Sequence, residues 1–206
     1  MSCWAIVAIK SRLERKQRLS GLLDSVERGQ LARFMLDRVV AAASDARGVS
    51  EVLIVCPERE ALPAGYPVLQ DAGTGLNRAL ELARAHARSR GASELLMLPA
   101  DLPLVCESDI EALVTAGRRA GVAIATDHAG TGTNGLYLPA ELAFHFRFGP
   151  DSRARHEVEA RRSGHAAAMV SCPGLATDLD TPADFLSLYP APIDRPRPAV
   201  LPAEHP

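Results

Sequence analysis

Three aspartates carry the clearest chemical signal in the chain. Asp101 stands in Leu98-Pro-Ala-Asp-Leu-Pro103, directly after an apolar run, with Pro99 and Pro103 restricting the backbone on either side. Asp178 and Asp180 alternate in Thr177-Asp-Leu-Asp-Thr-Pro182, so on an extended segment both carboxylates face one side. Carboxylates turned toward one another repel unless a cation joins them. Mg²⁺ is a hard cation that takes oxygen ligands from side chains and from substrate phosphates. Asp101, Asp178 and Asp180 therefore read as a metal pocket. Asp180 or Thr181 is also suited to capping a short helix opened by Pro182, and the two roles are compatible.

The second signal is cationic. Lys10-Ser-Arg12-Leu-Glu-Arg15-Lys16-Gln-Arg18-Leu19 carries five of the 23 basic residues, and Lys10 and Lys16 are the only lysines of the protein. Lysine is a compact point charge, unlike arginine's planar fork. It suits the space between triphosphate oxygens, so Lys10, Lys16 and Arg18 are candidates for holding the β- and γ-phosphates of a nucleotide. A plain solvated basic loop is the competing reading. Neither Gly-x-Gly-x-x-Gly nor a Walker A pattern occurs here.

Two further segments could bind ligand. Asp71-Ala-Gly73-Thr-Gly75-Leu-Asn77 is a turn whose glycines permit close backbone approach, and Asn77 would read a base edge or cap the following helix. Asp127-His-Ala-Gly-Thr131-Gly-Thr133-Asn134 exposes hydroxyls and backbone N–H groups. It pairs with Phe146-Arg147-Phe-Gly149-Pro-Asp-Ser152, where Pro150 suits a first helical position. The N–H groups around Ser152 would then meet a phosphate or carboxylate at a helix start, with Arg147 adding charge. His86, His145, His165 and His205 receive no role.

These residues need a scaffold that brings distant segments to one edge. Cys3–Ile9, Glu51–Val55, Glu94–Leu98 and Val122–Ala125 read as buried strands. They alternate with helices over about Val26–Ala43, started by Asp24 and Glu27, over a stretch marked by Leu76, Leu80, Ala83 and Ala87, and after a capping box formed by Ser108 and Glu111. The expectation is an α/β fold with a mostly parallel, Rossmann-like sheet covered by helices on both faces. Residues 1–189 would form one domain, and the proline-rich stretch 190–206 a disordered tail. The net charge of −2 speaks against nucleic acid or an acidic membrane as partner. Cys3, Cys56, Cys106 and Cys172 form no Cys-x-x-Cys pair, and no apolar run approaches the ~20 residues of a membrane span. A soluble, cytoplasmic protein with free thiols is expected.

In this order and combination, Trp4-Ala-Ile-Val7 with Lys10, Lys16-Gln-Arg-Leu19, Gly75-Leu-Asn77, Leu98-Pro-Ala-Asp-Leu-Pro103, Gly130-Thr-Gly-Thr-Asn134, Phe148-Gly-Pro-x-Ser152 and Asp178-Leu-Asp-Thr-Pro182 resemble one family. It comprises the 2-phospho-L-lactate guanylyltransferases and their phosphoenolpyruvate or 3-phospho-D-glycerate relatives, which serve biosynthesis of the deazaflavin coenzyme F420. The resemblance runs from about Trp4 to Leu188. It implies a single-domain nucleotidyltransferase fold and Mg²⁺ on Asp101, Asp178 and Asp180. GTP would lie against Gly73, Gly75, Asn77 and Pro99. The small phosphorylated acid acceptor would lie against Thr133, Gly149 and Ser152, beside Asn134 and Arg147. The Gly-Thr-Gly-Thr repeat leaves Thr131 and Thr133 as alternatives. The chain departs from the family in carrying Ala8 and Ser11 where proline is usual and Asp151 where glycine is common. A molybdopterin or sugar-phosphate nucleotidyltransferase is the neighbouring alternative, and a catalytically silent nucleotide-binding module the more distant one. Monomer and homodimer both stay open.

Overall fold

The apolar runs lie side by side in one sheet, and their alternate residues feed two separate cores. The computed structural model describes residues 2–9, 16–59 and 62–190. Within them the strands are β1 (Cys3–Ala8), β2 (Glu51–Cys56), β3 (Val68–Gln70), β4 (Glu94–Pro99), β5 (Ala123–Ala125), β6 (Gly135–Pro139) and β7 (Ala168–Val170). The helices are α1 (Ser25–Asp45), α2 (Leu76–Ser89), α3 (Glu107–Ala120), α4 (Ser152–Arg162), α5 (Pro173–Ala176) and α6 (Pro182–Leu188).

Cys3, Ala5 and Val7 of β1 and Leu96 and Leu98 of β4 pack with Val39 and Val40 of α1 and with Ile110, Leu113 and Val114 of α3. Trp4, Ile6, Leu95 and Met97 turn the other way, onto Ala79, Leu80 and Ala83 of α2 and Ala160 of α4. Period-two strands buried on both faces thus explain why the runs are continuously apolar. A third, smaller cluster joins Leu19, Leu23, Leu31, Met35 and Leu179, with Phe34, Phe185, Leu188 and Tyr189 packed against it.

The strand order is β3-β2-β1-β4-β6-β5-β7. Every pairing is parallel except those of β6, which runs antiparallel to both β4 and β5. The expected mostly parallel sheet is therefore present, with helices on both faces and one reversed strand that the sequence reading did not contain. β3 and β7, three residues each, were also not anticipated.

Two helix starts differ from expectation. Asp24 and Glu27 do form the reciprocal box at α1: Asp24 accepts from the N–H groups of Val26 and Glu27 at 2.8 Å each, and Glu27 accepts from Asp24 N–H at 2.8 Å. At α3, however, the box is built by Asp109, whose carboxylate takes the N–H of Cys106 at 3.0 Å and its thiol at 3.1 Å. Ser108 lies inside the helix, and Glu111 is drawn away to Arg47 at 2.8 Å. α4 begins at Ser152 and not at Pro150, because Gly149 (φ 122°) and Asp151 (φ 53°) are both left-handed and cannot belong to a right-handed helix. The tail expected from residue 190 lies outside the described residues from 191 onward, as do Lys10, Arg12 and Arg15.

Candidate active site

β1, β2, β3 and β4 point the same way, so their carboxyl ends share one rim. From β1 the chain winds outward to β2 and β3, then returns to β4 on the other side of β1. At such a reversal the loops diverge and leave a crevice, the usual ligand site of open α/β sheets. Lys16 arrives on the segment after β1, and Asp101 on the loop after β4.

The two meet. The Lys16 ammonium donates to Asp101 Oδ2 at 3.0 Å, to Asp180 Oδ1 at 2.8 Å and to the Leu179 carbonyl. Three acceptors use all three donors of an ammonium. The Lys16 side chain is 6% exposed, and those of Asp101 and Asp180 are 18% and 33% exposed. Burial disfavours the ammonium, but the charges and hydrogen bonds of Asp101 and Asp180 outweigh it and hold the Lys16 pKa above the ordinary lysine value.

Hydrophobic packing makes this convergence possible. Leu19, three residues after Lys16, and Leu179, between the two aspartates, are both fully buried in the third cluster. The Leu179 N–H donates to the Asp101 carbonyl at 3.1 Å, stitching the 178–180 segment to the loop after β4. Leu179 points into protein, and the flanking Asp178 and Asp180 are turned the other way.

Asp178 stands slightly apart. Its Oδ1 accepts from Asn134 Nδ2 at 3.1 Å. Burial pushes its carboxyl above the usual range; the Asn134 hydrogen bond pulls it down, and the negative charges of Asp101 and Asp180 add to the rise. All three carboxylates thus share one field, but among the described residues the cation between Asp101 and Asp180 is Lys16. Among the described residues, no three His, Cys, Asp or Glu side chains converge as a ready metal cage.

The other wall is built from neutral groups. Thr133 Oγ1 lies 3.0 Å from His156 Nδ1, and the Arg147 backbone N–H donates to His156 Nε2 at 2.9 Å. His156 is fully buried, stacked on Phe144 (centroids 5.7 Å apart) and edge-on to Phe148 (4.7 Å). Burial pushes its pKa down to about 4, with Glu159 opposing and Arg147 assisting, so the ring is neutral near pH 7. Asn77 holds the next residue: Phe148 N–H donates to Asn77 Oδ1 at 2.8 Å, and Asn77 Nδ2 to the Phe148 carbonyl at 3.0 Å. The cap of α2 is Gly75 (φ 102°), not Asn77. Arg147 turns its guanidinium to Glu159 at 3.3 Å. Ser152 N–H donates to the Gly149 carbonyl at 3.2 Å, and Arg153 N–H to Thr131 at 3.1 Å, which ties the Gly-Thr-Gly-Thr loop to the start of α4.

Of the residues expected at the site, Lys16, Asp101 and Asp180 are in direct contact, and Asn134 joins Asp178 to the Thr133 loop. Gly73 (φ 67°) and Gly75 form the turn before α2, and Pro99 closes β4 opposite Ala8. Arg18 lies exposed on a short 3₁₀ turn, Gln17–Leu19. Two groups were missed. His156 lies four residues beyond Ser152, and nothing local marks it as buried. Arg84, also buried, donates to the carbonyls of Ala140 (3.0 Å), Phe144 (2.8 Å) and Leu142, and so shapes the approach to Phe146. An arginine within an amphipathic helix gives no sign of that task.

Comparisons with known proteins place the chain in a family. The family model described as "Guanylyl transferase CofC like" matches residues 3–190. The chain is 42% identical over 193 residues to the phosphoenolpyruvate guanylyltransferase of Rubrobacter xylanophilus, covering 91% of this chain and 94% of that one. It is 38% identical over 192 residues to that of Sphaerobacter thermophilus, covering 91% and 93%. Among solved structures, a candidate nucleotide-diphospho-sugar transferase from Desulfovibrio desulfuricans G20 superposes with a TM-score of 0.73 at 16% identity over 92% of this chain and 86% of the other, a likeness of fold. With the lysine–aspartate cluster at the sheet crevice and a match along nearly the whole described chain, this protein belongs to the CofC-like guanylyl transferase family and is an enzyme.

Proposed function

We propose that the protein transfers GMP from GTP to the phosphate of a small phosphorylated carboxylic acid, phosphoenolpyruvate first among 2-phospho-L-lactate, phosphoenolpyruvate and 3-phospho-D-glycerate, and releases pyrophosphate in coenzyme F420 biosynthesis. The observation that carries this is the Lys16–Asp101–Asp180 cluster at the sheet crevice. The guanylyltransferase activity is that of the family, and the choice of acid follows the relatives' names.

An acceptor phosphate oxygen attacks the α-phosphorus of GTP. The new P–O bond forms as the bond to the β-phosphate breaks, and the electron pair leaves with pyrophosphate. A phosphate monoester is mostly dianionic at neutral pH, with a second pKa of about 6, so no general base is needed. That accords with a buried His156 kept neutral. The work of the chain is positioning and charge compensation. Lys16 would compensate the charge of the phosphates from its place between Asp101 and Asp180, and Arg18 and Lys10 are assigned the direct contacts that its committed ammonium does not make. Thr133, Asn134, Gly149 and Ser152 receive the acid from the other.

The carboxylates are hard oxygen donors of the kind Mg²⁺ takes, and an ion there would replace the Lys16 ammonium between Asp101 and Asp180. Asp101 and Asp180, with Asp178 beside them, would hold the ion, which would supply Lewis-acid polarisation of the phosphates. The reading is tested by mass spectrometry after incubation with Mg²⁺, GTP or CTP, and each of the three acids. A guanylylated acid with stoichiometric pyrophosphate is expected. Absence of adduct with all three would sink it.

A further inference from the structure

From the two hydrogen bonds on its ring, we infer that His156 is a positioning residue that aims the Thr133 hydroxyl proton at the acceptor. The inference rests on the acceptor site proposed above. The Arg147 N–H can only donate, so the Nε2 that receives it at 2.9 Å carries a lone pair. A neutral imidazole with a bare Nε2 carries its proton on Nδ1. That proton therefore points along the 3.0 Å contact to Thr133 Oγ1, and the hydroxyl is the acceptor there. The hydroxyl's own proton is left for another partner. Thr133 lies between Thr131, whose carbonyl accepts from Arg153 N–H at the start of α4, and Asn134, the residue that touches Asp178. A donor placed there suits an anionic substrate, because a hydrogen bond to a charged acceptor is about twice as strong as a neutral one. The opposite tautomer would spend the Thr133 proton on the ring and present the acid with oxygen lone pairs.

The ring is fixed in this orientation without help from solvent. Phe144 stacks on one side, Phe148 meets it edge-on, and the residue is fully buried. No polar role for this residue follows from packing alone, since a phenylalanine would fill the same slot.

Two side chains separate the functions of the ring. The amide of His156→Asn reaches about as far as Nδ1 and can still donate to Thr133. The amide of His156→Gln reaches about as far as Nε2 and can still accept from Arg147, but not serve Thr133. The expected result is an acceptor KM raised about 10- to 100-fold in His156→Gln, the scale of one charge-assisted hydrogen bond. The His156→Asn acceptor KM should stay close to wild type, and the GTP KM should be unchanged in both. Equal acceptor KM values in the two variants, or a parallel rise in GTP KM, would overturn the inference. A second measurement does not depend on any variant: long-range ¹H–¹⁵N correlation of the wild-type imidazole should place the proton on Nδ1, and a proton on Nε2 would end the proposal. Wild-type protein that releases pyrophosphate with none of the three acids indicts the function itself, whereas active wild type with indistinguishable Asn and Gln variants indicts only the role of His156.

Discussion

The two walls of the crevice are built on opposite principles. The Lys16 wall is ionic: one ammonium holds two carboxylates and a carbonyl, and its members arrive from segments 85 and 164 residues apart in sequence. The His156 wall is neutral and aromatic, held by amide and imidazole hydrogen bonds to backbone. Ion pairs gain or lose strength with any charge that enters, whereas a satisfied neutral network keeps its shape. The first wall therefore suits a polyphosphate whose charge must be redistributed during reaction. The second suits a small acid that must be held in one pose.

The comparison is broken most directly at Asp101. Asp101→Asn keeps the shape and removes one of the two charges on Lys16. Turnover should fall about 100- to 1,000-fold, the scale of losing a main electrostatic contact in an active site. Pyrophosphate release under saturating GTP and acid measures it, and near wild-type release would show that the ionic wall is structural only.

The neutral wall makes a prediction in pH. His156 has a folded pKa of about 4, below the unfolded value of 6.5. Above pH 6.5 the ring is neutral folded or unfolded, and its contribution to stability is intact. As pH falls through 6.5 toward 4, the unfolded chain binds a proton that the folded one does not, and stability is lost. The gap corresponds to about 3 kcal/mol by the time both forms are protonated. Denaturant unfolding at pH 7 and pH 4.5 should show most of that loss in the wild type and a smaller one in His156→Phe. Equal slopes would mean that the ring is not held neutral.

What the sequence disclosed follows from this same contrast. Asp101, Asp178, Asp180 and Lys16 announce themselves by type, because a charge at a strand end or in an alternating pair has few structural excuses. The strands β1, β2, β4 and β5 were legible because burial on both faces makes them continuously apolar. β6 was not, since Gly135 opens it, Pro139 closes it, and its antiparallel direction depends on which neighbours it finds. The cap at α3 escaped because a cysteine is a weak capping signal, and the box is completed by Asp109 and not by the usual glutamate. His156, Arg84 and the Leu19–Leu179 contact are long-range facts, and no local pattern encodes which residue a buried ring or leucine will meet.

That last contact is the third test. Leu179→Ala leaves every charge in place and removes the apolar anchor between Asp178 and Asp180. A loss of about 2 to 3 kcal/mol in denaturant unfolding is expected for a leucine in a cluster that can partly collapse. The ionic wall should loosen with it, so turnover should drop even where the variant is fully folded. Unchanged turnover in folded Leu179→Ala would show that the carboxylates are set by their own contacts.

Asn77 sharpens the comparison at its smallest scale. Its side-chain amide makes two bonds to the backbone of Phe148, and it lies at the start of α2, on the nucleotide side of the site as first read. If Asn77 read the base, Asn77→Ala would raise the GTP KM. The geometry predicts the reverse division. Both polar atoms of the amide are committed to the segment that leads into Gly149, so their loss frees the Phe148 N–H and carbonyl and lets Gly149 drift from the acceptor position proposed above. The cost to stability should be about 1 kcal/mol, a typical net value for an exchanged hydrogen bond. The acceptor KM should rise several-fold, within the roughly tenfold that 1.4 kcal/mol allows, while the GTP KM holds. A change confined to GTP would place Asn77 on the ionic wall after all.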